Sequence, residues 1–472
     1  MKIIGRKNEI ETLTECYESK KSEFVAIYGR RRIGKTFLVK ELFGEEFAFY
    51  STGILNGDRN IQLQAFSEGL TRFGGSDLGE PKNWLEAFSK LNSLIEKSNM
   101  IKKVIFLDEV PWMSTMHSDF LAGLDYFWNR WASSRKDVLL IICGSAAAWM
   151  TDNIINNVGG LHNRLTSQIL LKPFSLNECE EYFEDNNIRM SRLQIAEAYM
   201  IFGGVPYYLS LLKSKYSLYQ NVDRIYFSEN AELSNEFENL YRSLFKNSEK
   251  YMQVIKALSL KGIGMTQGEI AEKSKIKDGG TLTKILKDLE ISGFVRKYMA
   301  FGNKKKDALF QLIDFFSMFD LYFRSKREEY KNDYWLRTSS TPSHYAWSGF
   351  AFEKLCLLHI PQIRHALGIS GVLTGIYSWR SKTYEPGAQI DLVIERGDQV
   401  INLCEMKYSS EEYVIDKQYD QNLRNKRGAF VAETRTKCAA HTTMITSYGL
   451  KRNMYQAMVP FEVTLDDLFV TI

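Results

Sequence analysis

Proline is scarce in this chain of 472 residues, at 8, and no Pro-, Gly- or Ser-rich tract marks a linker. Domain boundaries therefore have to be read from changes of pattern. The six cysteines (Cys16, Cys143, Cys179, Cys356, Cys404 and Cys438) are scattered, with no Cys-x-x-Cys and no Cys/His metal spacing. That excludes a disulfide scaffold and a zinc module, and leaves them as small apolar residues of a reducing compartment. The longest apolar stretch, Val138 to Met150, falls far short of the ~20 residues that cross a bilayer. The first ten residues, MKIIGRKNEI, are charged too early for a signal peptide. A soluble, cytoplasmic protein with no membrane partner is expected. A net charge of +4 gives no global field, so nucleic-acid binding would have to rest on local surfaces.

What the chain does have is a core-forming composition, 44% hydrophobic and 25% charged, over a length suited to several domains. Residues 1–172 alternate short β-rich runs (Phe24–Tyr28, Phe47–Ser51, Val104–Leu107, Val138–Cys143, Gln168–Leu171) with helical stretches. That alternation predicts βα units and a parallel sheet. Residues 173–243 read as helical, interrupted at Gly203-Gly204-Val205-Pro206.

The first run leads directly into Gly29-Arg-Arg-Arg-Ile33-Gly34-Lys35-Thr36, and a helical pattern starts at Phe37. This is Walker A spacing in a strand–loop–helix context. It predicts ATP binding through Gly29, Ile33, Gly34, Lys35, Thr36 and Phe37, with backbone N–H groups and the helix dipole around the phosphates. Lys35 should reach the β/γ-phosphates and the Thr36 hydroxyl should ligate Mg²⁺. The second half of such a site is Val104-Ile-Phe-Leu-Asp108-Glu109, with Asp108 assigned to Mg²⁺ and Glu109 to the attacking water as general base. Two further assignments follow from position. Ser145, after the next apolar strand, is placed to sense the γ-phosphate, or is simply a strand-exit turn residue. Arg164, before the last strand of the region, is either a finger donated in trans within a homo-oligomer or a surface residue. His162 beside it is read as a bystander.

The set of stretches Ile4-Gly5-Arg6-Lys7-Asn8-Glu9, GRRRIGKT, FLDEVPW, CGSAAAWM and FGGVPYYL resembles bacterial and archaeal AAA+-related, signal-transduction-type (STAND) ATPases that end in a nuclease-like domain. The resemblance implies ATP hydrolysis and places the first stretch near the adenine base. The chain departs from the pattern in having Ala146 where a second Ser is typical, and in Asp314-Phe315-Phe316, which lacks the family's Pro.

Residues 244–312 hold helical patterns, including a capping-box signature at Thr266 and Glu269, followed by two β-like runs. This is the pattern of a winged helix-turn-helix, with Lys284 and Lys287 on the reading helix and Lys304-Lys305-Lys306 on the wing. Two roles are open: duplex-DNA contact through phosphates, or packing on the ATPase that holds it inactive. The aromatic run Phe315, Phe316, Phe319, Tyr322, Phe323 at helical spacing reads as a core or interdomain helix.

In the last region, a helical Glu353, a strand with Asp391, and a strand with Glu405-Met406-Lys407 follow in order. Glu405 and Lys407 share a strand face. If the two strands pair, Asp391 and Glu405, supported by Glu353, can converge on one metal ion, and Lys407 can hold the attacking water or the developing phosphorane charge. The order resembles PD-(D/E)XK nucleases, although Ile390-Asp391 replaces the leading Pro-Asp. An intact site and an inert structural copy are both open.

The expected architecture is α/β. It comprises a P-loop NTPase core (1–172), a helical lid (173–243), a winged helix (244–312), a helical linker (313–339) and a restriction-endonuclease-like domain (340–472). The expected function is an ATPase acting on DNA whose nucleotide state controls the nuclease-like tail. The alternative is a nucleotide-controlled DNA-binding or signalling switch with an inactive tail that serves as an interaction module.

Overall fold

The structure, a computed structural model, describes residues 2–472 other than 117, 157–160, 162, 303–307, 330–332, 340, 382, 384–386 and 457–458. The chain forms two compact units: Met1–Pro173 with Leu240–Lys246, and Phe174–Asn239 with Asn247–Ile472.

The first unit is built on five strands: β1 (Glu23–Tyr28), β2 (Phe47–Thr52), β3 (Lys103–Asp108), β4 (Val138–Gly144) and β5 (Ser167–Leu170). They pair in parallel in the order β2-β3-β4-β1-β5. Successive residues point to opposite faces, and each face has its own apolar cluster. Phe24, Ala26, Ile105, Leu107, Leu140 and Ile142 face one side, while Val25, Ile27, Val104, Phe106, Leu139 and Ile141 face the other. A strand covered on both faces must be apolar at every position, which is why these strands read as unbroken runs. Because β4 lies between β1 and β3, the C-terminal ends of β1, β4 and β3 are neighbours. In open parallel sheets that edge is where ligands bind.

The second unit begins with helices Leu176–Asp185 and Arg192–Phe202, both opened by capping boxes (Ser175 with Glu178, Ser191 with Gln194). The interruption at 203–206 is real: Gly203 and Gly204 both take left-handed backbone. Next come helices Ser248–Ser259, Gln267–Ser274 and Gly280–Ile291, then an antiparallel hairpin of β6 (Val295–Ala300) and β7 (Leu309–Leu312). The predicted capping box forms, with Thr266 N–H donating to Glu269 at 2.7 Å and Glu269 N–H to the Thr266 hydroxyl at 3.3 Å. Thr266→Ala is expected to cost about 1 kcal/mol, read as a lowered urea midpoint at unchanged slope.

The aromatic helix, Phe315–Glu329, packs as a structural element: Phe315, Phe316, Phe319 and Phe323 are buried. Phe319 meets Tyr226, Trp335 and Trp347 at ring-centroid distances of 4.9, 5.2 and 5.6 Å.

The rest of the unit is helix Pro342–Leu358, an antiparallel set β8 (Thr374–Arg380), β9 (Gln389–Arg396) and β10 (Val400–Lys407), helix Lys417–Thr434, then β11 (Ala439–Thr446) and β12 (Phe461–Thr464). β11 runs parallel to β10, and β12 parallel to β11. The hairpin does not stand apart. β6 pairs with β8 at Met299–Tyr377 and Ala300–Ser378, giving one seven-stranded sheet in the order β12-β11-β10-β9-β8-β6-β7. The hairpin expected as the wing thus has part of one edge paired with the sheet. Five of the six cysteines are buried, in keeping with a packing role. Among the described residues no helix is long and apolar enough to cross a membrane.

Candidate functional site

The loop after β1 turns at Gly29, whose backbone (φ 144°) lies so close to Leu171 that a Cβ would stand 2.3 Å from its carbonyl oxygen. Only glycine fits there. Gly34 (φ 88°) is the N-cap of helix Lys35–Phe43, and a Cβ placed on it would meet nothing within 4 Å. That space beside a helix N-terminus is suited to an anion. The Ile33 side chain is buried, so its contribution to a ligand is confined to the backbone, and Phe37 is half-exposed.

Lys35 is the first residue of the helix and is 5% exposed. Its ammonium donates to the carbonyl oxygens of Gly29 (3.0 Å) and Arg30 (2.8 Å). Burial lowers its pKa, opposed by nearby Cys143, Glu109 and Asp108. The Thr36 hydroxyl donates to Asp108 Oδ2 at 2.8 Å. This bond joins the two halves of the expected site, from the loop after β1 and the end of β3. Burial raises the Asp108 carboxyl, and the Thr36 hydrogen bond opposes that rise. A hydroxyl and a carboxylate side by side, beside the open space at Gly34, are the hard oxygen donors that Mg²⁺ takes. The residues present therefore fit both a nucleotide phosphate and its ion.

Glu109 follows with left-handed backbone (φ 49°, ψ 45°), an uncommon conformation for a residue with a Cβ. Its carboxylate accepts from one residue twice: Ser145 N–H donates to Oε2 at 3.1 Å and the Ser145 hydroxyl donates to Oε1. Ser145 is buried, at the exit of β4. The sequence left Ser145 as a γ-phosphate sensor or a strand-exit turn residue; in the structure it donates to Glu109. Arg164 is exposed in the turn before β5, and His162 lies outside the described residues.

In the second unit, β9 and β10 pair antiparallel with Cys404 opposite Leu392. Asp391 and Glu405 are the next positions on each strand. Their charges interact with each other and with Glu353 of helix Pro342–Leu358. Burial, then the charge of Asp391, pushes the Glu353 carboxyl up to about 7, and burial takes the adjacent Lys354 ammonium down to about 8. Burial also raises Glu405, opposed first by Lys426.

Among the described residues no group of three or more His, Cys, Asp or Glu side chains is gathered so that it could hold a metal ion. The cause is local. Glu405 Oε1 accepts from Lys426 Nζ at 2.7 Å and its other oxygen accepts from the Tyr419 hydroxyl at 3.4 Å. Asp391 Oδ1 accepts from the Gln389 amide at 2.6 Å. Lys407 Nζ lies 5.3 Å from the Tyr419 ring centroid.

Lys426, Tyr419 and Gln389 were not singled out from the sequence. Nothing local marks Lys426 among the basic residues of its helix, since its role comes from Glu405 on the preceding strand, 21 residues earlier. On helix Gly280–Ile291, Lys284 and Lys287 are exposed, as expected of its outer face. Lys304, Lys305 and Lys306 lie outside the described residues.

Over 423 residues the chain is 24% identical to an uncharacterized protein of Methanocaldococcus jannaschii, covering 86% of this chain and 87% of the relative. Among solved structures it is similar to a Walker-type ATPase of Pyrococcus abyssi (18% identity, 68% of this chain, 96% of that chain, TM-score 0.48). It is also similar to the ORC2 protein of Aeropyrum pernix in ADPNP–ADP complexes (15% identity, 69% of this chain, 96% of that chain, TM-score 0.41). Residues 3–212, which carry every motif of the first unit, match the family model of an ATPase domain found predominantly in Archaea.

Proposed function

We propose that the chain binds and hydrolyses ATP in its first unit and uses the cycle to act on DNA through its second. The observation that carries the ATPase reading is the Thr36–Asp108 hydrogen bond, which brings the phosphate loop and the acidic strand end together. Thr36 and Asp108 would hold Mg²⁺, which when bound neutralises charge on the phosphates. Lys35 would leave the Gly29 and Arg30 carbonyls for the β/γ-oxygens, and Glu109 would take the proton of the attacking water. Arg164, exposed before β5, is proposed to complete a neighbouring subunit's site.

For the second unit we propose the division drawn from the sequence: a helical lid, a winged helix whose Lys284 and Lys287 meet DNA phosphates, a helical linker and a nuclease-like tail. The tail's helix, three antiparallel strands, crossover helix and parallel strand are the support for a restriction-endonuclease-like fold. A second reading is favoured by a specific contact: Lys426 stands against Glu405 where an ion would be needed. On that reading the tail is an inert copy that recognises DNA or a partner without cutting it.

The experiment is phosphate release and plasmid cleavage by the full chain, with and without ATP, Mg²⁺ or Mn²⁺, and duplex DNA. The nuclease reading expects cleavage that needs the ion and is lost in Asp391→Asn and Lys407→Ala while ATP turnover persists. Intact plasmid, linear and branched DNA under every condition would leave the inert-copy reading standing. An absence of ATP binding would remove the first unit's assignment altogether.

A further inference from the structure

The hydrogen bonds at the end of β4 give Ser145 a task that the ATPase reading alone does not. Both Glu109 carboxylate oxygens are engaged by this one residue, one by its backbone N–H and the other by its hydroxyl. Two donors on one rigid strand exit fix the plane of a carboxylate, not merely its distance. Each oxygen keeps a second lone pair, and the direction of those lone pairs is then set by Ser145. Glu109 itself stands on left-handed backbone just past β3, and the chain beyond it turns at once into the short helix Val110–Met113. Its backbone alone therefore leaves the carboxylate's aim to its rotamers, and the neighbouring strand β4 supplies the restraint. Ser145 is 6% exposed and the strand before it is wholly buried, so this donor pair has little freedom to follow Glu109 if the carboxylate swings.

We infer that Ser145 is a positioning residue that acts through Glu109, aiming the general base at the water, and not a contact to the nucleotide's terminal phosphate. The inference rests on the assignment of Glu109 as the base of an ATPase. A base has to lie within hydrogen-bond reach of the proton it takes, and small misplacements of such a group cost orders of magnitude in rate. A phosphate contact would instead be felt in binding, as a preference for ATP over ADP.

The test separates these two. Ser145→Ala should lower kcat by about a hundredfold and leave KM for ATP and the ATP/ADP affinity ratio unchanged, while Ser145→Thr, which keeps the hydroxyl, should restore most of the rate. In a Glu109→Gln background, Ser145→Ala should change ATP affinity no further, and the residual rates should be non-additive, as expected for two groups acting as a unit. A loss of ATP preference over ADP in that background would show that Ser145 touches the phosphate and overturn the inference. So would a kcat that stays at the wild-type value, or one that rises, the latter meaning that Ser145 restrains the base. Nucleotide binding by each variant reports that the site is folded. A wild-type chain that neither binds nor turns over ATP fails the ATPase assignment and takes this inference with it, whereas an active wild type with an indifferent Ser145 fails the inference alone.

Discussion

Lys35→Ala is expected to abolish ATP hydrolysis and to weaken nucleotide binding by about two orders of magnitude. The side chain is buried at the head of its helix, and its ammonium donates to the loop carbonyls of Gly29 and Arg30. Those two bonds hold it over the loop, where a phosphate oxygen offers a charged acceptor in place of neutral ones. A hydrogen bond to a charged group contributes roughly 1.5–3 kcal/mol, and one to two of them amount to about a hundredfold in affinity. The rate falls further, because the same charge is needed on the phosphates as they separate. Titration calorimetry with a slowly hydrolysed ATP analogue and a phosphate-release assay read the two effects. Glu109→Gln provides the contrast: it should bind ATP at wild-type affinity and fail to turn it over, since the Thr36–Asp108 pair is untouched. Turnover at the normal rate in Lys35→Ala would sink the loop assignment.

The second large effect is expected at Lys426. Glu405 is 9% exposed, and Lys426 is its closest cation. Lys426→Met keeps most of the side chain's length and removes its charge, leaving a buried carboxylate without its counter-charge. Breaking a buried pair from one side costs about 3 kcal/mol. Amides of β10 and β11 should then exchange roughly a hundredfold faster, since exchange from the core tracks the free energy of opening.

The pH dependence has a definite sign. Burial raises the Glu405 carboxyl above its ordinary value of 4.5. The folded state then binds this proton more tightly than the unfolded one, so the group's contribution falls as pH rises from the ordinary value through the raised one. Removing Lys426 raises the carboxyl further, so the deficit of Lys426→Met should be large at pH 8 and shrink toward pH 5. Mn²⁺ or Mg²⁺ should recover part of the loss at pH 8 if Asp391 and Glu405 can share an ion once the lysine is gone. An equal deficit at both pH values would mean that Lys426 contributes by packing its alkyl chain and not by charge.

These two residues also mark how far the sequence could be read. Lys35 lies in a contiguous motif, and a strand, a glycine loop and a helix start are local events whose residue types are dictated by backbone geometry. The five strands of the first sheet were legible for a related reason. Phe24 to Tyr28 or Val104 to Leu107 face apolar clusters on both sides, so no polar alternation blurs the run. Helix caps such as Thr266 with Glu269 are local too. Lys426 had no such signature: Arg424, Lys426 and Arg427 sit on one helix, and only the fold decides which of them meets Glu405.

By itself, then, the sequence determined the α/β class, the phosphate loop with its acidic partner strand, the helical stretch with its break at Gly203, and the shared strand face of Glu405 and Lys407. Each of these is read from short contiguous segments and their order along the chain. Tertiary structure alone decided that β4 lies between β1 and β3, that Ser145 meets Glu109, that β6 joins β8, and that Glu405 is held by Lys426. The physical reason is one of range. Periodicity and capping report the conformation of a segment, whereas the pairing of strands and the partner of a buried charge depend on which distant segment covers it. A buried carboxylate must have a donor, but which residue supplies it is fixed only when the chain has folded.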